Sequence, residues 1–185
     1  RDANGKRFDI PVRLRVIAGG ANWQAIYETK ATDKQAAEQL TVVHRPNQRS
    51  QFLLSRSSEG ATPGAPATLL EGRSAMTPFA GSDFWLSDLG LDFFHWPEQR
   101  LLKKEMRKSR PCKVLESRDP APGTNGYFRV LSWVDSETDE VLLAQASDRQ
   151  GKLLKEFTVR SIKKVKGNWQ LREIEIRNNQ TDSRT

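Results

Sequence analysis

One cysteine, two histidines, two tyrosines and two methionines are all that 185 residues carry of these types. The lone Cys112 excludes an internal disulfide. In its strand-like run it reads as a small buried hydrophobe rather than a nucleophile. His44 and His95 have no second His or Cys at metal-ligand spacing. There is no GxSxG, no glycine-rich phosphate loop and no HExxH. Asp83 and Asp88 lie five positions apart, which does not set them side by side on a helix. They read as helix caps and turn formers, with Ser87 as a further candidate cap and Gly90 as the stop. The expectation is a protein that is not an enzyme, has no catalytic residues, cofactor or metal, and can dispense with Cys112, His44 and His95.

Long apolar runs are also missing, so no segment is long enough to cross a membrane as a helix. No secretory leader opens the chain. It begins at "RDANGKRFDIPV", a turn running into a strand, and stops at "NNQTDSRT". Both ends read as processed or trimmed, which suits an exported protein whose leader has been removed. Hydrophobic residues make up only 36% while charged ones reach 29%, a balance that favours antiparallel sheets with one wet face. The net charge of +7 admits anionic partners, yet the basic residues are scattered along the strands and read as a solvated face. With no RNP-like motif and no recognition helix, nucleic acid is not an expected partner.

What is there is mostly alternation. In "RFDIPVRLRVI", Phe8, Ile10, Val12, Leu14 and Val16 point one way and Arg7, Asp9, Arg13 and Arg15 the other, a half-buried strand. Pro11 marks it as an edge strand or a locally irregular one. "WQAIYETK", "EQLTVVHRP" and "SQFLLSR" follow, with Trp23, Leu40, Val42, Phe52 and Leu54 as apolar beats. "SSEGATPGAPAT" (57–68) reads as a loop or linker. From 99 onward comes a meander: "QRLLKKEMRKS" and "PCKVLES" parted at Arg110 and Pro111, then "YFRVLSWVD", "VLLAQAS", "KLLKEFTVRSI" and "WQLREIEIRN". Strands at about ten-residue spacing indicate an all-β sandwich or barrel. The apolar phase slips from Trp169 and Leu171 to Ile174 and Ile176, which predicts a bulge.

One stretch breaks the pattern. "GSDFWLSDLGLDFFHWPEQ" packs Phe84, Trp85, Leu86, Leu89, Phe93, Phe94 and Trp96 between acids and glycines. It is the only convincingly helical region, predicted over 82–96 and stopped by Pro97. These side chains either line an apolar cavity or complete a dry core, and the residues alone leave both open.

The ordered set "GSDFWLSDL", "RPCKVLES" and "FRVLSWVDSETDEVLLAQASDRQGKLLKEFTVRSIKKVKGNWQLREIEIRN" resembles the outer-membrane lipoprotein-sorting proteins, the LolA-like family of Gram-negative bacteria. The likeness spans residues 81–178. It lacks the family's N-terminal helix, and the 57–68 segment is richer in Ala, Pro and Gly than the family pattern. The resemblance implies a single domain, mainly β: a strongly curved antiparallel sheet, an unclosed half-barrel, with short helices plugging its concave face. It implies a periplasmic carrier that shields lipoprotein acyl chains or another lipid. The lipid-binding residues would be Leu14, Val16, Trp23, Leu40, Val42, Phe52, Leu54, Phe84, Trp85, Leu86, Leu89, Phe93 and Trp96. A membrane-associated donor or acceptor protein would be its partner, and it would act as a monomer. The alternative on the same fold is a regulatory or scaffold module that binds a protein or lipoprotein and transports nothing.

Overall fold

The computed structural model describes residues 9–185 apart from 33–34, 47, 58–65, 122–125 and 166–167, and apart from the side chains of 18 and 161–172. Most of the 57–68 segment therefore lies outside the described residues, as does the predicted strand start at Arg7 and Phe8. The architecture is the expected one: mainly antiparallel strand, unclosed, with a few short helices. Its strands form two sheets, which fall in two compact units, Arg7–His95 and Trp96–Thr185.

The first unit is a five-stranded meander of β1 (Val12–Gly19), β2 (Asn22–Thr29), β3 (Ala37–His44), β4 (Gln51–Ser57) and β5 (Thr68–Leu70). Gly20, with φ of 68°, makes the β1–β2 reversal, a conformation in which a Cβ would be strained. The cross-strand register decides which face is apolar. Leu14 lies opposite Tyr27 and Val16 opposite Ala25. Trp23, Ala25 and Tyr27 lie opposite His44, Val42 and Leu40. Val42 and Leu40 in turn lie opposite Phe52 and Leu54. Alternation thus stacks one apolar row across four strands, and that row must be covered.

The cover is the irregular segment between β5 and the end of the unit. It comprises a 3-10 turn (Gly72–Met76), the single helical turn α1 (Leu86–Leu89) and a second 3-10 turn (Asp92–His95). Helix is therefore concentrated in 82–96 as predicted, but the turn at Gly72–Met76 carries no clear sequence signal. The cap differs too. Trp85 is the N-cap residue of α1, and Asp88 reaches back to accept its N–H at 2.8 Å, while Gly90 ends the turn. Leu86 is fully buried with Leu40, Val42, Phe52 and Leu54, together with Ala75, Phe79 and Ala80. Polar ties fix the register of cover on sheet. The Tyr27 hydroxyl donates to the Leu89 carbonyl at 3.0 Å, and Glu38, paired with Arg56, accepts the Ala80 N–H at 3.0 Å.

The second unit is a seven-stranded antiparallel meander of β6 (Glu98–Arg107), β7 (Arg110–Arg118), β8 (Arg129–Asp135), β9 (Val141–Ser147), β10 (Leu153–Val165), β11 (Asn168–Asn178) and β12 (Ser183–Arg184). The break expected at Arg110 and Pro111 falls two residues earlier. Lys108 and Ser109 make the β6–β7 turn with φ of 49° and 60°, and Arg110 already belongs to β7. The predicted bulge is present: the β10–β11 register shifts between Val159 and Ser161 and again before Ile162. Cys112 is fully buried beside Val114, Trp133, Leu142 and Leu143, as a small hydrophobe should be.

The β8–β9 turn is organised by Asp135, which has no exposure at all. Its carboxylate accepts the N–H groups of Glu137 (2.8 Å) and Thr138 (3.1 Å) and pairs with the Arg110 guanidinium. Burial alone would raise the Asp135 pKa. The two N–H donors and Arg110 outweigh it and hold the carboxyl below the usual aspartate range.

Candidate functional site

The cover does not reach the whole apolar row. It seats on β2–β5, where Leu40, Val42 and Phe52 have almost no exposure, and stops short of β1, where Leu14 is 54% and Val16 61% exposed. Between the cover and the free end of the row lies an open cavity of about 310 Å³. Leu14 and Val16 of β1, Trp23, Ala25 and Tyr27 of β2, and His44 of β3 form one wall. Leu89, Gly90, Leu91, Phe94 and His95 form the other. Leu91 holds a φ of 47°, which turns the chain from α1 into the 3-10 turn carrying Phe94 and His95.

The sequence-predicted lipid residues divide accordingly. Leu14, Val16, Trp23 and Leu89 meet at the cavity. Leu40, Val42, Phe52, Leu54 and Leu86 are buried in the dry core beneath it. Phe84, Phe93 and Trp96 are buried, and Trp85 is half-buried at the N-cap of α1; none of the four lines the cavity. Lining and core are thus both present, on different parts of one face.

Two lining residues were set aside in the sequence because neither has a partner nearby in the chain. The fold brings them together: the His44 and His95 rings lie 6.0 Å apart between centroids. His44 stacks on Trp23 at 3.6 Å with planes 14° apart, and its Nδ1 meets the Ser50 hydroxyl at 3.1 Å. The signal for His44 was its phase, since it continues the inward beat of Leu40 and Val42. His95 follows three positions after Asp92 on an irregular turn and carries no such signal. Among the described residues no group of three or more His, Cys, Asp or Glu side chains gathers to hold a metal.

Burial, and then the like charge that His95 would carry, lowers the His44 pKa from 6.5 to about 4. The unfolded chain therefore holds more protons than the folded one between those values. The contribution of His44 is complete above pH 6.5 and is lost as the pH falls towards 4. At ~1.4 kcal/mol per unit, and with solvent screening at the open mouth, that is about 1–2 kcal/mol. Melting curves of the wild type and His44→Gln between pH 8 and pH 4 should converge as the pH falls. Curves that stay parallel would show that His44 is not held neutral.

A family model described as "Uncharacterized protein" matches residues 67–185, a span that includes the segment 81–178 on which the sequence resemblance rested. No curated protein matches the chain. Among solved structures, a DUF1329 family protein from Desulfovibrio piger matches with a TM-score of 0.60 at 19% identity, over 92% of this chain and 78% of that one. A putative outer membrane lipoprotein-sorting protein domain from Vibrio parahaemolyticus matches with a TM-score of 0.56 at 22% identity, over 88% of this chain and 72% of its own. A LolA superfamily protein from Nitrosomonas europaea gives a TM-score of 0.51 at 15% identity, over 95% and 79%.

Proposed function

We propose, from the premise that the chain belongs to the family whose model spans residues 67–185 and has the LolA-like fold of its solved neighbours, that it is a lipid-binding carrier. It shields an acyl chain, of a lipoprotein or another lipid, in the cavity between β1–β3 and the α1 segment. The observation that carries the reading is the uncovered end of the apolar row. Leu14, Val16 and Trp23 stay 40% or more exposed on one wall, facing Leu91 and Phe94 on the other. A soluble surface does not leave such a patch concave and apolar without a use for it. At about 310 Å³ the cavity lies at the lower end of ligand pockets, which suits one chain segment rather than several. Each methylene moved from water into it gains ~0.8 kcal/mol, so a segment of roughly eight gains about 6 kcal/mol before the cost of immobilisation.

The carrier works outside the cytoplasm, in the periplasm, exchanging its chain with a membrane-associated donor or acceptor. What supports this is the name of the Vibrio neighbour, a lipoprotein-sorting domain, together with the fold it shares with this chain. Shielding needs no catalyst, and the reading assigns none: the protein is a binding protein and not an enzyme.

Val16→Asp tests it, because Val16 is 61% exposed and its replacement leaves the core intact. The wild type should bind a fluorescent fatty acid, and the variant should bind at least about tenfold more weakly with stability changed by less than about 1 kcal/mol. A well-folded wild type that binds no probe ends the carrier reading.

A further inference from the structure

The cavity is apolar along its length but not at one end. Leu14, Val16, Leu91 and Phe94 present only carbon, and the Tyr27 hydroxyl is engaged with the Leu89 carbonyl. His44 and His95 are the exceptions. Their rings lie 6.0 Å apart and tilted by 40°, a separation at which one small oxyanion between them reaches both. His44 is prepared for such a role. The Trp23 face fixes its ring plane, and Ser50 occupies Nδ1, which leaves Nε2 as its second polar atom.

We infer that this cavity takes a single-chain amphiphile with a free acidic head, of the fatty-acid class, whose carboxylate sits between His44 and His95. Its chain runs along Leu14, Val16 and Phe94. The inference rests on the reading that the cavity holds an acyl chain, and it adds the head group that the site selects. Imidazolium donates from both nitrogens, so each histidine that takes up a proton offers the carboxylate a charge-assisted hydrogen bond, which an ester cannot match.

The surroundings make this pairing sensitive to pH. No Asp, Glu, Lys or Arg lines the cavity. From β2 the His44 ring meets Trp23, from the β3–β4 loop Ser50, and from the second 3-10 turn His95. Along the chain, charged residues close to these groups include Arg45, whose guanidinium bonds Gln51 at 2.7 Å, Arg49, next to Ser50, and Asp92, one turn before His95; none lines the cavity. Without ligand, burial and the second imidazole keep His44 neutral to about pH 4. A carboxylate between the rings offsets both effects, so binding takes up protons and tightens as the pH falls from 8 towards 5.5.

Calorimetric titration with dodecanoic acid and with its methyl ester, at pH 8 and pH 5.5, tests this. Expected are binding of the acid about tenfold tighter than the ester at pH 5.5, proton uptake on acid binding, and loss of most of the acid preference in His95→Gln. His95 is half-buried, so that variant folds even where His44→Gln does not. Equal affinity for acid and ester at both pH values overturns the acidic-head assignment while leaving the acyl-chain reading in place. Acid preference that persists undiminished in folded His95→Gln overturns it as well, since His95 then takes no part in holding the head. No binding of either compound by the folded wild type overturns the acyl-chain reading and this assignment with it.

Discussion

Replacing Asp135 by alanine should cost the protein about 3–5 kcal/mol, more than any single surface change. The carboxylate is fully buried and answers three donors at once: the N–H groups of Glu137 and Thr138, which shape the β8–β9 turn, and the Arg110 guanidinium at the start of β7. Alanine leaves the two turn N–H groups unanswered and takes from Arg110, itself only 19% exposed, its buried carboxylate. The loss of a paired charge in such a place is worth more than the pair's own net contribution. Denaturant titration gives the number. Asp135→Asn separates the parts, since its amide oxygen can still accept from the turn but the charge opposite Arg110 is gone. The depressed pKa sets the pH window: the stabilisation by Asp135 is full above the ordinary aspartate range and fades as the pH falls below it. A loss under 1 kcal/mol in Asp135→Ala would mean that the turn stands without its carboxylate.

Gly90→Ala should be the second large effect, a loss of about 2–3 kcal/mol for one added methyl. The reason is space and not backbone freedom, because Gly90 has an ordinary right-handed φ of −88°. A Cβ built there would come within 2.6 and 2.8 Å of the Phe52 ring and 3.1 Å of Val42. Phe52 is 1% exposed and Val42 not at all, so neither can swing away without disturbing the core. The glycine lets α1 lie flat on β3 and β4. A double-mutant cycle checks the cause: with Phe52→Leu in the background, the same alanine should cost much less, a coupling of at least about 1 kcal/mol. Additive losses would place the cost elsewhere.

Much of this was legible in the sequence, because strand alternation is a local property. The inward beats of Leu14, Val16, Trp23, Leu40, Val42, Phe52 and Leu54 do share one face, and the phase slip before Ile174 did mark a bulge. What alternation does not carry is coverage. Leu14 and Leu40 are the same residue in the same pattern, one 54% exposed and the other fully buried. The difference is where the α1 segment lands, which is set by long-range ties such as Tyr27 to Leu89 and Glu38 to Ala80. For the same reason Trp85 read as a cavity-lining or core residue, although the chain turns there and the structure uses Trp85 as a cap residue. His44 and His95 met no criterion of spacing, because 51 positions separate groups whose rings lie 6.0 Å apart. The turn at Lys108 and Ser109 hid for another reason: it takes positive φ without the glycine or asparagine that usually announces it.

The strand that keeps the cavity open is also the end of its sheet. Among the described residues β1 pairs with β2 alone, so the outer row of its backbone N–H and C=O groups is a template on which a second chain could extend the sheet. A row of exposed Val12, Leu14 and Val16 would ordinarily make that extension favourable, since it would bury them together. The opposite side of the same strand works against it. Arg13 and Arg15 alternate with those residues, so an antiparallel copy of β1 would bring guanidinium groups of like charge across from one another. Arg15 is spoken for by Glu28 of its own sheet at 2.9 Å, and Pro11, just ahead of the strand, has no N–H to offer an incoming chain. The basic residues that read at first as a merely wetted face are thus placed where gatekeepers against self-association belong, on the same exposed strand as the apolar wall.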